Sequence, residues 1–188
     1  MLVVVPVRKL NLVRNKLSDA QVEPLKQSLV AQRDLKILHM SHNSMSDRAL
    51  GMLAEGLRVN AGIEEIQFTH NDLSLPNGLV VIGSLQHLPA LIKLSLNSCN
   101  LIVPCLTQLK NALIDNQVLT DISLYSNEID AEGAQLLAQM LVNKRMLKTL
   151  GLSNNIIGIG GARELSQVCL SELVSLTRLA LESNLIGN

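Results

Sequence analysis

The segment Leu119-Thr-Asp-Ile-Ser-Leu-Tyr-Ser-Asn-Glu-Ile129 carries the pattern that decides the fold of this chain. Apolar residues occupy its positions 1, 4, 6 and 11, and an asparagine occupies position 9. The same pattern occurs seven times, beginning at Val7, Leu35, Ile63, Leu91, Leu119, Leu147 and Leu176. The first six starts are 28 residues apart and the last step is 29 residues, so one unit is repeated in tandem.

An apolar unit with a period of roughly 20–29 residues predicts a leucine-rich-repeat solenoid. The alternation of positions 4 and 6 predicts a short strand in each copy, and the helical spacing of Leu50, Leu53 and Leu57 predicts a helix behind it. We therefore predict an α/β horseshoe of about seven repeats, with a parallel β-sheet on the concave face and α-helices on the convex face. Residues 1–188 are interpreted as one such domain. It is interpreted as a fragment of a longer array, because Asn188 follows the seventh strand without a closing helix.

Position 9 has a different composition from the apolar positions. It is occupied by Asn15, Asn43, Asn71, Asn127, Asn155 and Asn184, and by Cys99 in the fourth copy. An asparagine side chain both donates and accepts hydrogen bonds. It can pair backbone groups where each strand turns away, and each such group left unpaired costs about 1–3 kcal/mol. We predict a structural role for these asparagines and the weakest turn at Cys99.

The sequence also predicts where the helices begin. Position 12 is a good helix N-cap in four copies, at Ser18, Ser46, Ser74 and Asp130. In the third copy, Pro76 and the following Asn77-Gly78 pair predict a helix that begins late. Gly133 and Gly161 share position 15, where a small residue is predicted to let helix and strand approach closely. The segment Gly158–Gly161 predicts a tight turn between strand and helix.

Composition narrows the class of partner. The 16 basic residues balance 16 acidic ones, so no net charge favours nucleic acid or an anionic membrane. Met1–Pro6 is too short for a secretory signal or a membrane-inserting helix, and is predicted to extend the sheet edge. Cys99, Cys105 and Cys169 have neither metal-ligand spacing nor an even disulfide framework. They predict small buried thiols in a reducing, cytoplasmic compartment.

A 28-residue unit with this head and a full helix resembles the ribonuclease-inhibitor class of leucine-rich repeats, and residues 119–137 are most similar to its consensus. The resemblance covers residues 7–188. The class includes ribonuclease inhibitors, the sensor arms of NOD-like receptors, Ran GTPase-activating proteins, tropomodulin-type caps and effectors of intracellular bacteria. It implies protein binding, mostly in the cytosol, and in the host-cell cytosol for a bacterial effector. The near-uniform period, the scarce cysteine and the balanced charge depart from ribonuclease inhibitors, so that activity is not assigned.

Positions 3, 5, 7 and 8 are left on the concave side, where a partner would bind. They form a polar, hydroxyl-rich face with charges of both signs, which suits protein contact better than an apolar pocket does. The candidate partner-binding residues are Lys9, Arg14, His39, His42, Glu65, Gln67, His70, Lys93, Asn97, Asp121, Tyr125, Asn154 and Arg178. Tyr125 is the only tyrosine of the chain, and tyrosine often dominates interface energies. It is predicted to be exposed.

Three histidines fall close together on this face. His42 and His70 share position 8 of adjacent copies and are predicted to be near neighbours, with His39 close by. A zinc site needs three or four ligands, and Glu65, at position 3, is not expected to complete one. The sequence shows no serine–histidine–aspartate arrangement and no phosphate-binding glycine loop. We therefore predict no metal, no cofactor and no catalytic residue.

These observations favour a module that binds an unidentified protein through its concave face, as a scaffold, an effector or a sensor arm. Two alternatives stay open. One is regulation of a GTPase, which can be exerted through surface contacts alone. The other is self-association through the open C-terminal repeat, near Leu181 and Ile186, because exposed apolar surface marks association.

Overall fold

The computed structural model describes residues 7–31 and 34–187, in which seven β-strands alternate with six α-helices. The strands are β1 Lys9–Asn11, β2 Ile37–His39, β3 Glu65–Gln67, β4 Lys93–Ser95, β5 Asp121–Ser123, β6 Thr149–Gly151 and β7 Arg178–Ala180. The helices are α1 Asp19–Ala31, α2 Asp47–Leu57, α3 Pro76–Ser84, α4 Val103–Leu113, α5 Ala131–Leu141 and α6 Gly158–Ser171. A short 3-10 helix, Leu85–His87, follows α3. The segment Met1–Pro6, predicted to extend the sheet, lies outside the described residues.

All seven strands are parallel neighbours in one sheet, in sequence order, which confirms the predicted solenoid. Equal positions of neighbouring repeats pair with each other, from Lys9 opposite Ile37 to Thr149 opposite Arg178. The 29-residue last step leaves this register intact, because α6 has 14 residues whereas α4 and α5 have 11. The extra length therefore lies on the helical side and the strands stay aligned.

The hydrophobic core lies between the sheet and the helices. Positions 1, 4 and 6 of the second to sixth repeats fill it as predicted, and in the fourth repeat Leu91, Leu94 and Leu96 are at most 2% exposed. In the two terminal repeats Val7 and Leu179 are exposed. From the helical side, Leu50 and Leu53 are buried against the same cluster. Within residues 7–31 and 34–187, no helix combines the length and apolar character needed to cross a membrane.

Five of the six asparagines at position 9 form a hydrogen-bonded ladder along the ends of the strands. The sixth, Asn15 in the first repeat, is exposed and its side chain donates only to the carbonyl of Val13. The side-chain Nδ2 of Asn127 donates to the carbonyl of Leu124 in its own repeat and to that of Leu96 in the preceding one, both at 3.0 Å. Its Oδ1 accepts from the backbone amide of Cys99 at 2.9 Å. Asn43, Asn71, Asn155 and Asn184 donate to the equivalent pairs of carbonyls. The ladder therefore satisfies backbone groups that water does not reach.

Cys99 interrupts this ladder in the fourth repeat. Its Sγ lies 3.3 Å from the carbonyl oxygen of Phe68, so the thiol replaces one of the asparagine donors. Burial raises the pKa of this thiol to about 12, so the side chain remains a protonated, weakly polar group. The backbone amide of Asn71 faces the sulfur instead of an amide oxygen, and sulfur is a weak acceptor.

Replacing Cys99 with asparagine is expected to raise the free energy of unfolding by about 1 kcal/mol, the net value of one good hydrogen bond. The new side chain would restore an oxygen acceptor for Asn71 and a second donor to the backbone. Urea denaturation of both proteins measures the difference. The same change at the half-buried Cys169, which lies in α6 outside the ladder, should not stabilise. A less stable Cys99→Asn protein would contradict the predicted weakness of this turn.

Two of the predicted helix caps are formed. Ser46 precedes α2, and its Oγ accepts from the amide of Ala49 at 3.1 Å. Asp130 precedes α5, and its Oδ1 accepts from the amide of Gly133 at 2.8 Å. Each bond pairs an amide that the first turn of a helix leaves without an internal partner.

The third repeat departs from this arrangement, and the prediction that Ser74 caps its helix is wrong. Asp72 Oδ1 accepts hydrogen bonds from the amide and the hydroxyl of Ser74, at 2.9 and 2.6 Å, and so holds the serine in a local turn. The helix α3 begins at Pro76 after Leu75, which makes no side-chain cap. The late start predicted for this helix is confirmed.

Glycines at position 15 serve a different contact from the one predicted. A Cβ on Gly161 would lie 2.7 Å from the Cβ of Ala134, and a Cβ on Gly133 would lie 2.5 Å from Leu106 Cδ1. Both partners belong to the preceding helix, so these glycines bring helix against helix and not helix against strand. The segment 158–161, predicted as a turn, forms the beginning of α6, with Gly158 at a φ of 62°.

A polar residue that is buried or half-buried recurs at position 26 in the second, fourth and fifth repeats. Asn60 and Asn116 donate from that position to backbone carbonyls. In the fifth repeat the residue is Lys144, which is only 1% exposed, and its Nζ donates to the carbonyl of Ile114 at 2.8 Å. Desolvation lowers the pKa of Lys144 to about 8, against a smaller opposing effect of Asp115. A charged side chain thus stands where two other repeats have a neutral amide.

Candidate functional site

All thirteen candidate residues of the concave face are accessible to solvent. Lys9, Arg14, His70, Lys93, Asn154 and Arg178 are exposed, and His39, His42, Glu65, Gln67, Asn97, Asp121 and Tyr125 are half-buried. The in-register pairing brings equal positions onto adjacent strands, about 4.8 Å apart. Residues of β2 to β5 are therefore close neighbours, whereas Lys9 and Arg178 lie at opposite ends of the sheet.

Position 8 has a left-handed backbone conformation that was not predicted from the sequence. All seven of its residues have φ between 51° and 61°, namely Arg14, His42, His70, Ser98, Ser126, Asn154 and Ser183. This left-handed conformation is uncommon for residues other than glycine and is least tolerated by β-branched side chains. No copy has a β-branched residue at this position. That absence is the feature of the sequence from which the left-handed conformation could have been predicted. The repeated turn directs these side chains along one row at the edge of the sheet.

His39 and Glu65 are in hydrogen-bonding contact on the face. The Nε2 of His39 lies 2.7 Å from Glu65 Oε1, and the same oxygen accepts from Gln67 Nε2 at 3.0 Å. Glu65 thus contacts a histidine, but it is not part of a group of three metal-ligating side chains in the described residues. Position 5 of one repeat and position 3 of the next are diagonal neighbours, and long side chains bridge that diagonal.

His42 and His70 are the neighbours that the repeat predicted. Their rings stack with centroids 4.2 Å apart and an angle of 29° between the planes. Desolvation lowers the pKa of His42, and the nearby His70 and Arg14 lower it further because they disfavour a second positive charge. Within the part of the chain that the structure describes, no three metal-ligating side chains come together.

A hydrogen-bonded network centred on Asn97 covers the middle of the face. Asn97 Oδ1 accepts from the hydroxyl of Ser123 at 2.7 Å and from the amide of Tyr125 at 2.8 Å, and Asn97 Nδ2 donates to Ser95 Oγ at 3.1 Å. Thr69 and Ser95 are joined at 3.1 Å. The network spans β3 to β5 and fixes the rotamers of short polar side chains.

Beside this network lies a shallow depression of about 260 Å³. Glu65, Lys93 and Asp121 line it from adjacent strands and occupy equivalent positions, so charges alternate in sign across the sheet. Lys93 is exposed and makes no ion pair with any described residue. Its ammonium group is therefore free to meet a partner.

Tyr125 packs more closely than predicted. A Cβ added to Gly151 would lie 2.6–2.9 Å from the tyrosine ring and its hydroxyl, so the ring rests on that glycine. The side chain is half-buried and not fully exposed. Gly151 was placed on the concave side by position alone, and only the structure shows that it seats the aromatic ring.

A separate apolar surface lies where the helices return to the strands. This loop edge consists of Ile114, Val118, Val142 and Met146, which are 41–51% exposed although a repeat lies on each side of them. The same positions in the second and third repeats are Arg58, Gly62, Gln86 and Ala90. The equivalent positions of the sixth repeat, Leu170 and Val174, are 88% and 77% exposed, so apolar exposure on this side extends beyond the fourth and fifth repeats. The loop edge is distinct from the concave face.

Two stretches of the chain, residues 31–54 and 115–138, match the family model described as Leucine Rich repeat. They contain the strand, the ladder asparagine and the first helical turns of the second and fifth repeats. The same features recur in register along the sheet, so the fold is a leucine-rich-repeat solenoid. The match does not distinguish the ribonuclease-inhibitor-like subclass from others.

Among solved structures, the chain is similar to an internalin from Listeria monocytogenes, with 15% sequence identity and a TM-score of 0.34. The similarity covers 86% of this chain. It covers 65% of the internalin chain, so this chain spans less than two thirds of the internalin's length. A search of curated proteins gave no significant match.

Proposed function

We propose that this protein is a binding module that holds another protein on its concave face. The observation that carries the proposal is the network centred on Asn97, which extends over β3 to β5 and is flanked by Lys93 and Tyr125. Its side chains are already ordered by one another, so binding costs little further side-chain entropy. Repeat solenoids use such broad surfaces to contact other macromolecules.

The shape of this face supports a protein partner over a small molecule. The depression beside Lys93 holds about 260 Å³, below the roughly 300–1,000 Å³ of typical ligand pockets. Its lining alternates acidic and basic residues over an open sheet, and such a surface pairs with charges and amides spread over a protein. Tyr125, with its ring seated on Gly151, supplies a rigid amphipathic contact of the kind that dominates many interfaces.

The cysteines support placing the protein in a reducing, cytosol-like compartment. Cys99 and Cys105 are free, buried thiols, and Cys169 is free and half-buried. Burial raises the pKa of each thiol, which keeps it protonated and unreactive. Within such a compartment we propose a scaffold, sensor-arm or effector role for the module.

The test is affinity capture from cytosolic extract with three forms of the chain. The first is the native sequence, and the second carries Lys93→Glu and Tyr125→Ala on the concave face. The third carries Val142→Ser and Met146→Ser on the loop edge, and circular dichroism confirms that all three are folded. We expect a protein that the native and loop-edge forms retain and the concave-face form loses. Retention by the concave-face form would contradict the proposal, and selective loss by the loop-edge form would move the binding surface there.

A further inference from the structure

Three side chains that the proposed contact does not use form a cationic row at one end of the concave face. Arg14, His42 and His70 occupy position 8 of the first three repeats and share left-handed φ values of 61°, 58° and 57°. Because the backbone turn is the same in each, the three side chains leave the sheet edge in the same direction. The stacked histidine rings, 4.2 Å apart, show how closely the row is packed.

The cationic row has no counter-ion in the described residues. Among residues 7–31 and 34–187, no carboxylate lies within ion-pairing distance of Arg14, His42 or His70. Glu65, the acidic residue on the nearby β3, is already bonded to His39 and Gln67. The position-8 residues of the later repeats are uncharged, namely Ser98, Ser126, Asn154 and Ser183. The row therefore places one fixed positive charge, on Arg14, beside two ionisable imidazoles, at one end of a face whose other position-8 residues are neutral.

We propose that the cationic row binds the carboxylate side chains of an acidic segment in a protein partner, and that this binding tightens as the pH falls from neutral to mildly acidic. The inference rests on the proposed function, since it names the kind of partner that the concave face accepts. It adds a charge requirement and a pH dependence that the network around Asn97 does not impose.

The pH dependence follows from the groups that surround His42. Arg14 precedes it in the row, His70 follows it, and the His39–Glu65 pair lies beside it on β2 and β3. Arg14 carries a fixed charge, whereas histidines gain theirs between about pH 8 and 5. In the free protein, protonation places like charges at stacking distance, and this opposes proton uptake. A bound carboxylate relieves that repulsion, so by linkage a lower pH must favour the bound state.

A hexaglutamate peptide carrying a pH-insensitive rhodamine dye is a direct probe, because glutamate stays largely ionised at pH 5.5. Fluorescence anisotropy at pH 5.5 and 7.5, at constant low salt, gives the dissociation constants. We expect about tenfold tighter binding at pH 5.5, as one or two charge-assisted contacts are added. A protein with His42→Gln and His70→Gln should bind equally weakly at both pH values. The matched control His87→Gln removes an exposed histidine of the 3-10 helix and should keep the full pH dependence.

Equal affinity of the native protein at both pH values would overturn the inference, as would a pH dependence that survives in the double histidine variant. A labelled hexalysine peptide that binds as well as hexaglutamate would also overturn it. These outcomes are separable from the proposed function, because capture at pH 7.5 depends on Lys93 and Tyr125, which the peptide variants leave intact. If the peptide test failed and the capture succeeded, the inference that the partner is acidic would be refuted. The proposal that the concave face binds a protein would still stand.

Discussion

Replacing Asn127 with alanine is expected to lower the free energy of unfolding by about 3–5 kcal/mol. The side chain accepts from the amides of Cys99 and Leu101 at 2.9 and 3.2 Å and donates to the carbonyl of Leu96 at 3.0 Å. Alanine would leave these three buried groups without their side-chain partner, and each unpaired group costs about 1–3 kcal/mol. The loss should exceed that of a typical single substitution.

Thermal and urea denaturation measure this loss. In a chain of this length about 1 kcal/mol shifts the melting temperature by roughly 2–4 °C, so a fall of about 10 °C is expected. Asn127→Cys copies the natural residue at Cys99 and should lose less, because a thiol keeps one donor. Glu128→Ala changes the exposed neighbour and should stay within about 0.5 kcal/mol of the native protein. If Asn127→Ala also stayed within that range, the ladder would not be what holds the strand ends.

The strands and the core could be predicted from the sequence because the same constraint is repeated seven times. Ile122 and Leu124 alternate with polar neighbours, and only one face of a short strand can then be buried. A single copy would be ambiguous, but seven copies at one spacing specify parallel strands in register. The ladder was predictable for the same reason, since Asn127 and Asn155 always follow the third apolar residue.

The local contacts that were predicted wrongly depend on competition between side chains, and the spacing of residues in the sequence does not reveal that competition. Ser74 has the residue type and position of a helix cap, yet its amide and hydroxyl donate to Asp72, two residues away. On the concave face, the residues at positions 3 and 5 are accessible to solvent as predicted, except for Gly151 and Ala180, which are buried. Whether His39 reaches Glu65 across a diagonal depends on rotamers, and so does the packing of Tyr125 on Gly151. The solvent accessibility of the thirteen candidate residues was therefore predictable, whereas their pairing was not. That they bind a partner stays a prediction.

Lys144 was not predicted to be buried. Nothing in the local pattern distinguishes it from the other lysines of a polar loop, and a lysine is almost never fully buried without a partner. Its burial becomes intelligible only when position 26 is compared across repeats, where Asn60 and Asn116 also donate to carbonyls. The position accepts a donor in the second, fourth and fifth repeats, although the third repeat has Leu88 there. In the fifth repeat the donor carries a charge that is removed from water on folding.

Lys144→Asn is expected to raise the free energy of unfolding by about 2 kcal/mol at pH 7. A pKa lowered from 10.5 to about 8 by desolvation corresponds to about 3 kcal/mol against folding, and imperfect hydrogen bonds of the shorter side chain offset part of the gain. Asparagine at this position is compatible with the repeat, as Asn60 and Asn116 show. The change removes a buried charge and keeps a donor.

The sign of the pH dependence distinguishes this explanation from a simple change in packing. Below pH 8 the folded and unfolded chains both carry the proton on Lys144, so the full cost of burying the charge is present. Between pH 8 and 10.5 the unfolded chain binds more protons than the folded one, and the native protein gains stability as the pH rises. The advantage of Lys144→Asn should therefore shrink over this range and vanish near pH 10.5.

Urea denaturation of both proteins at pH 7, 8, 9 and 10 gives the required difference. The raised pKa of Cys99 acts in the opposite direction at high pH, but it affects both proteins equally and cancels in the comparison. Lys148→Asn removes an exposed lysine four residues away and should change neither the stability nor its pH profile. If the gain from Lys144→Asn stayed constant up to pH 10, or if the variant were less stable at pH 7, the ammonium group would not be desolvated in the folded chain.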